Sequence, residues 1–384
     1  MIGIGINTGT SADAIDIAIV EFGRSRASSG LKLLWSGTYP YPARLKQVFL
    51  ELVDHISTFT PSTWFDMTGR FDVALGGAFA DAVLKAIPSS GIRKKDIAFI
   101  GSHGQTVWHA PMRGKRGTGF LSTGTTIQLG NPSVLAVKTG IPVVAHFRDK
   151  DVALGGQGAP LAPVLHGKLF GRYAPAVVVN IGGIANITVL PPPTAPTKIY
   201  GFDTGPGNRL IDIAVEAYTD GKRSFDAHGG IAAKGSVDQA LLRRLMQDPF
   251  VRKRPPKSTG REYYNQTYLT LNGIQSHDIN TIATLTAFTA HAVGYNIKHF
   301  VRHGINDVII CGGGANNDMI IRHLSGHLPD VAIRTVQDLG YAPNVIEPML
   351  FAYLGYLGFN RIPIHIKSVT GSSSPFVPGG IYYP

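Results

Sequence analysis

The chain has 384 residues, 44% of them apolar, a formal net charge of +11 at pH 7 and one cysteine, Cys311. That length allows about two domains, each able to bury a sizeable core. A single cysteine excludes an internal disulfide framework and fits a reducing compartment, and no apolar run approaches the roughly 20 residues of a membrane span. The first residues lack the basic, apolar and small-residue order of a signal peptide, so a cytoplasmic location is expected. Basic residues gather at Arg93 to Lys95, Arg113 to Arg116 and Arg252 to Lys257. They are scattered rather than interleaved with aromatics on one face, which argues against nucleic acid and reads as a field that attracts anionic nucleotides and sugar phosphates. No nucleic-acid or membrane partner is expected; a homodimer is compatible with these features.

In chain order, Ile2 to Ile17 reads as two strands joined by a glycine turn at Asn7-Thr8-Gly9. Leu31 to Gly37 is a third strand, and Leu45 to Ile56 an amphipathic helix. Ser62 is placed to cap a long helix to about Ala86, with Trp64, Met67, Phe71, Leu75, Phe79 and Val83 at spacings of three or four. Ile97 to Gly101 is a buried strand, Arg113 to Thr126 a Gly/Ser/Thr-rich loop, and Ile127 to Leu129 a return to the sheet. Val177 to Val189 repeats the opening hairpin, so that Asn180 and Gly182 align with Asn7 and Gly9. The proline-dense Pro191 to Pro196 is a loop. Helices follow at Asn208 to Thr219, Asp238 to Met246 and Thr281 to Val301, then a strand at Val308 to Ile310 and a last helix at Ile346 to Leu357.

A hairpin repeated at the head of each half implies a duplicated domain with a phosphate loop in each copy. Gly9, Thr10 and Ser11 offer hydroxyls and backbone N–H groups to a phosphate, and Asn180, Gly182, Gly183 and Asn186 do so in the second copy. Gly205, Gly207 and Asn208 open a helix, whose first N–H groups favour anions. Gly312, Gly313, Gly314 and Asn316 follow a strand, where glycines let an adenosine lie on the backbone. That pattern is similar to the actin-like, sugar-kinase-like ATPases. It implies an α/β fold of two duplicated lobes, each a mixed sheet flanked by helices, with a cleft between and ATP as the nucleotide. The first lobe is expected at 1–137, with the tail 366–384 returning to it, and the second at 138–365. Arg148-Asp149-Lys150-Asp151 precedes Gly155-Gly156-Gln157-Gly158, so a carboxylate stands ahead of glycines able to act as a hinge or lid.

In order, these residues closely resemble the anhydro-N-acetylmuramic acid kinase family, which includes the similar levoglucosan kinases. The resemblance is carried by Gly9 to Asp13 with Ile15-Asp16, Ser102 to Thr106 with His109 and Pro111, and Gly130-Asn131-Pro132. It continues through Phe147-Arg148, Asp151 to Ala153, Gly155 to Pro160, Asn180 to Thr188, Phe202 to Asn208, Lys257 to Glu262, Cys311 to Asn316 and Glu347. It implies that water, activated by an aspartate, attacks the anomeric carbon of a 1,6-anhydro sugar while the released O6 takes the γ-phosphoryl of ATP. By position Asp151 matches the family's base, and Glu347 is a second carboxylate; the two would also serve the Mg²⁺. Ser11, Asp13, His103, Gln105 and Arg148, with Asp151, would bind the sugar.

The chain departs from the family at Asn7-Thr8 in the first loop, at Ala14 where a glycine is usual, and at His146. Asn7 replaces an acidic residue common in the superfamily and is more like the levoglucosan kinases. His146 stands where an aspartate is usual before Phe-Arg, removing a charge that would repel a lactyl carboxylate. The Asn7 and His146 departures pull in opposite directions. Because the family is dominated by the muramic kinases, the resemblance implies the muramic sugar as the preferred substrate and levoglucosan as the alternative. A nucleotide switch of the actin or chaperone type would keep the phosphate hairpins but has no need of His103, Arg148, Asp151 and Arg261.

Overall fold

The computed structural model describes residues 1–9, 12–23, 30–54, 59–110, 124–195, 198–260, 263–275 and 277–384. Up to residue 170 the elements are β1 (Ile2–Thr8), β2 (Ala14–Phe22), β3 (Leu31–Pro40), α1 (Ala43–Asp54), α2 (Pro61–Ser90), β4 (Ile97–Ser102), β5 (Gln105–Ala110), β6 (Thr125–Leu129), α3 (Pro132–Thr139), β7 (Val143–Ala145), α4 (Asp149–Ala153) and α5 (Ala162–Phe170). Then come β8 (Ala176–Ile181), β9 (Ile184–Leu190), β10 (Tyr200–Pro206), α6 (Arg209–Tyr218), α7 (Gln239–Leu245), α8 (Pro249–Arg252), α9 (Gln266–Leu271) and α10 (Ile279–Phe300). The chain ends through β11 (Asp307–Cys311), α11 (Asp318–His327), β12 (Ala332–Thr335), α12 (Ile346–Phe359), α13 (Lys367–Thr370) and β13 (Gly380–Tyr382). No helix among the described residues is long and apolar enough to cross a membrane.

Two compact units result, Met1–Leu169 with Glu347–Pro384, and Phe170–Ile346. In the first, the sheet order is β13-β7-β4-β1-β2-β3, with β1 antiparallel to β2 and parallel to β4. In the second, the order is β10-β9-β8-β11-β12, with β8 antiparallel to β9 and parallel to β11. The shared core order is the duplication that the repeated hairpins foretold, and both units have the expected α/β mixed sheet.

The unit boundary differs from the expected 137/138. Val143–Ala145 pairs with β4 and with β13, so the segment after residue 137 stays with the first sheet. A three-residue strand carries too little alternation to be read from sequence. The tail does return to the first unit, through β13. α12 joins that unit too, for a reason written in β1. Ile4 and Ile6 fill the core with Phe71, Leu75, Phe79 and Val83 of α2. Period-two alternation turns Gly5 to the opposite face, where a Cβ would lie 1.8 Å from the carbonyl oxygen of Pro348.

α2 is longer than expected and starts earlier. Thr60, not Ser62, caps it by accepting the N–H of Thr63, Pro61 occupies the first turn, and Gly91 ends it in the left-handed region at φ 71°. In the second unit α10 is buried nearly all round. Its threonines tolerate this because their hydroxyls bond carbonyls, as Thr286 does to Ile282 at 2.8 Å.

Candidate active site

Asp151 lies in the short helix α4 with no exposed surface. Its Oδ2 accepts the N–H of Gly158 at 2.6 Å and its Oδ1 the hydroxyl of Thr370 at 2.6 Å. A Cβ on Gly156 would sit 2.2 Å from Oδ2, so only glycine lets the chain fold over the carboxylate. The C-terminal segment completes this clamp: Gln157 N–H donates to Thr370 O at 2.8 Å, and Ser373 N–H to Leu154 O at 3.0 Å. Thr370 is a site residue that the sequence reading missed. Although the tail was expected back at the first unit, no motif marks the threonine.

Arg148 joins this carboxylate to His103. Its Nε and Nη2 donate to His103 Nε2 at 3.1 and 3.0 Å, and its Nη1 to Gly158 O at 2.7 Å. Burial lowers the Arg148 pKa to about 10 against the opposing charges of Glu347 and Asp151. Burial, then the Arg148 charge, holds His103 well below its ordinary range. With Nε2 accepting, the ring proton is on Nδ1, a buried atom that faces the Gly104 backbone and has no well-formed hydrogen bond among the described residues. Ser102 Oγ and Gln105 Oε1 are likewise buried and unpartnered among the described residues. Three such groups in four residues are the mark of a surface completed by a polar ligand.

Asn7 Nδ2 donates to Glu347 Oε2 at 2.5 Å. The Glu347 residue has accessible surface, yet protein crowds its carboxylate. Burial raises its pKa, the Asn7 bond lowers it, the Asp16 charge raises it and the Arg148 charge lowers it. Replacing Asn7 with alanine is therefore expected to raise the Glu347 pKa further. If catalysis needs the ionised carboxylate, the acid limb of the pH–rate profile will move to higher pH; an unmoved limb would remove Glu347 from that role.

Other predicted residues fall elsewhere. Asp13 is exposed and paired with Lys46. His146 adopts φ 59°, its Nδ1 lies 3.9 Å from Asp149 and its ring packs on Tyr382. Gly9 accepts Gln105 Nε2 at 3.3 Å through its carbonyl. Thr10, Ser11 and Arg261 lie outside the described residues.

In the second unit the glycines gather at one end of β8. A Cβ on Gly312 would meet Asn180 Oδ1 at 2.4 Å, and one on Gly314 would meet Ile181 Cγ2 at 2.4 Å. Asn208 Nδ2 donates to Ile181 O at 3.4 Å and lies 3.4 Å from where a Cβ of Gly313 would be. Asn186 is inside β9, opposite Asn180 and Asp203, while Asn316 Oδ1 accepts Gln337 at 2.8 Å.

Two features of this loop differ from a strained glycine turn ahead of a free helix start. Gly182 and Gly183 do not have positive φ; an added Cβ would find its nearest neighbour at 3.7 and 3.8 Å, so they leave open space rather than relieve a strained turn. The N–H groups at the start of α6 are not all free either. Those of Gly207 and Arg209 donate to Gly183 O, at 2.9 and 3.2 Å, and that of Asn208 to Gly182 O at 2.7 Å. The hairpin carbonyls thus dock onto the helix start and fix the two glycine segments together. Gly205, at φ 152°, packs against Val251 and Ala292 instead of opening to a ligand.

These two duplicated units, with their clamped carboxylate and glycine segments, belong to a phosphotransferase. The model of the family described as anhydro-N-acetylmuramic acid kinase matches residues 1–384, and the chain belongs to that family. It is 38% identical to the anhydro-N-acetylmuramic acid kinase of Vibrio parahaemolyticus, over 99% of this chain and 97% of that protein. It is 39% identical to that of Saccharophagus degradans, over 99% and 98%. With that of Caldanaerobacter subterraneus it shares 36% identity, over 98% and 96%. A solved glucokinase of the ROK family from Streptomyces griseus matches at a TM-score of 0.37 and 12% identity, over 93% of this chain and 99% of that one, too remote a likeness to bear on function.

Proposed function

We propose that this chain uses ATP to phosphorylate O6 of 1,6-anhydro-N-acetylmuramic acid while water opens the anhydro bridge. The observation that carries the proposal is the family match over the whole chain; Asp151, which the sequence resemblance implies as the base, is held by Gly158 and Thr370. Asp151 accepts a proton from water as the water oxygen bonds to C1 and the C1–O6 bond breaks. O6 takes the γ-phosphoryl group and ADP leaves, so the charge developing on O6 is never released as a free alkoxide. Each carboxylate oxygen has a second lone pair for the water after Gly158 and Thr370 are served. A base this enclosed meets no bulk water, so hydrolysis is limited to a water delivered with the sugar.

Arg148, with Ser102 Oγ, His103 Nδ1 and Gln105 Oε1, would orient sugar oxygens. In the second unit, Asn180, Gly182, Gly183 and Asn208 would take the phosphates, and Gly312 to Gly314 the adenosine. A magnesium ion on such phosphates needs only one or two protein carboxylates. Glu347, accessible and anchored on one oxygen by Asn7, fits that need; Asp151, with a donor on each oxygen, fits it less well. No group of three or more metal-ligating side chains exists among the described residues, consistent with an ion held largely by substrate phosphates. When bound, it would neutralise charge on them.

Relatives named for the muramic sugar favour it over levoglucosan and over a switch without sugar chemistry. The test is kcat/KM for both anhydro sugars side by side, with product made in ¹⁸O-labelled water. Label at C1 of a 6-phosphosugar and a preference for the muramic substrate are expected. Unlabelled product would remove the hydrolytic step, and a levoglucosan preference would overturn the substrate.

A further inference from the structure

Lys257 is buried, 6% exposed, in the second unit. Its Nζ donates to the carbonyls of Phe250 and Val251, each at 2.9 Å, at the end of α8. Three rings surround it: Phe250 at 4.9 Å, Phe300 at 5.4 Å and Phe202 at 5.9 Å from Nζ to ring centroid. Nothing in the proposed chemistry uses this cation, and an ammonium in an apolar cage is costly unless it holds something in place.

What it holds leads to the nucleotide loop. Val251 O also accepts Asn296 Nδ2 at 3.2 Å, and the same amide donates to Thr204 O at 3.1 Å. Thr204 is the bulged residue of β10, where the register shifts between Asp203 and Gly205. The backbone of the same lysine grips the other side: Asp203 N–H donates to Lys257 O at 3.2 Å, and Asp203 Oδ2 accepts Thr259 N–H at 2.9 Å. Bulges redirect a strand, and this one sets the course of Gly205 to Asn208.

We infer that Lys257 is a positioning residue for nucleotide binding, fixing the Thr204 bulge through Val251 and Asn296 so that Asn208, with the Gly182–Gly183 connection docked on its N–H, meets the phosphates. The inference rests on the nucleotide role proposed above for Asn208, Gly182 and Gly183. The groups facing the ammonium are Asp203 on β10, and Asp248 and Lys253 flanking α8, while α10 presents Asn296 and Phe300, neither of which titrates. Asp248 is itself bonded to the hydroxyls of Tyr264 and Tyr268. Burial lowers the Lys257 pKa to about 8, opposed by Asp203 and Asp248 and assisted by Lys253.

The test is KM for ATP and for the sugar across pH 6.5 to 9.5, in the wild type and in Lys257→Met and Lys257→Arg. Loss of one charge-assisted contact should raise KM for ATP in Lys257→Met by about tenfold at pH 7, with KM for the sugar unchanged. In the wild type, KM for ATP should rise as pH passes about 8, well above the phosphate ionisation near pH 6. Lys257→Met should lack that rise, and Lys257→Arg should keep low-pH affinity without it. A folded Lys257→Met with unchanged KM for ATP, or a flat wild-type profile, overturns the inference. If Lys257→Met does not fold, calorimetric binding of ATP to the wild type across the same range decides it. No ATP-dependent phosphorylation of either sugar at any pH would instead count against the proposed function, and the calorimetric profile would still read Lys257.

Discussion

Asp151→Asn is expected to lower kcat by about 10²-fold or more, the scale of lost general-base catalysis, with the fold and ATP affinity kept. The fold should survive because the amide can satisfy the same neighbours. Its oxygen can accept the Gly158 N–H, and its NH₂ can donate to Thr370 Oγ, since a hydroxyl reverses its role freely. What the amide cannot do is take a proton from water. Gly156→Ala asks the same question from the other side: it keeps the carboxylate but drives a methyl to within 2.2 Å of Oδ2. A displacement of about 1 Å is enough to cost on the order of 10²-fold in rate. Steady-state kinetics with circular dichroism on both variants checks the pair. Near-full activity in Asp151→Asn would sink the assignment and bring Asp149 or Glu347 forward as the base.

The parts of this site that could be read from sequence were those whose chemistry is local. Glycines repeated after matching strands, an aspartate ahead of Gly-Gly-x-Gly and a strand followed by Cys-Gly-Gly-Gly each carry their reason within a few residues. Those patterns marked the Arg148–Asp151 segment and the end of β8, while the choice of Asp151 and the site role of His103 came only from the family resemblance. The contacts that were not legible join residues far apart in the chain. Thr370 reaches Asp151 across 219 positions and Asn7 reaches Glu347 across 340, and neither pair has a spacing that a motif could record. The first-lobe boundary failed for the same reason, since β7 is anchored by a strand from the far end of the chain. The duplicated hairpins misled in one respect. Their strands correspond, but Gly182 and Gly183 form the whole connection between β8 and β9, while residues 9–13 connect β1 and β2. The glycines therefore answer to different demands, open space in one copy and carbonyl contacts to Ala12 and Gln105 in the other.

Gly5→Ala and Gly101→Ala are expected to be among the most destabilising single substitutions in the first unit. The new Cβ of Gly5→Ala would lie 1.8 Å from Pro348 O and 2.5 Å from Ala352 N, and that of Gly101→Ala 2.0 Å from Phe351 O. All three atoms are backbone of α12, so no rotamer change can relieve the clash, and the helix must lift from the sheet. Overpacking of this kind costs about 3 kcal/mol or more, a fall in Tm of roughly 6–12 °C for a unit of this size. Gly3→Ala is a graded comparison: the three atoms nearest its Cβ all belong to the ring of Phe99, the first at 2.2 Å, and a side chain can turn where backbone cannot. Gly182→Ala is the control, with nothing closer than 3.7 Å, and its stability should stay within about 0.5 kcal/mol of wild type. The Gly5 variant should also carry a functional signature. Pro348 is the neighbour of Glu347, so lifting the start of α12 pulls that carboxylate from Asn7, and kcat should fall even at temperatures where the variant remains folded. Calorimetry together with kcat at low temperature separates the two effects. A Gly5→Ala protein with wild-type Tm would mean that α12 does not rest on β1 as closely as these distances require.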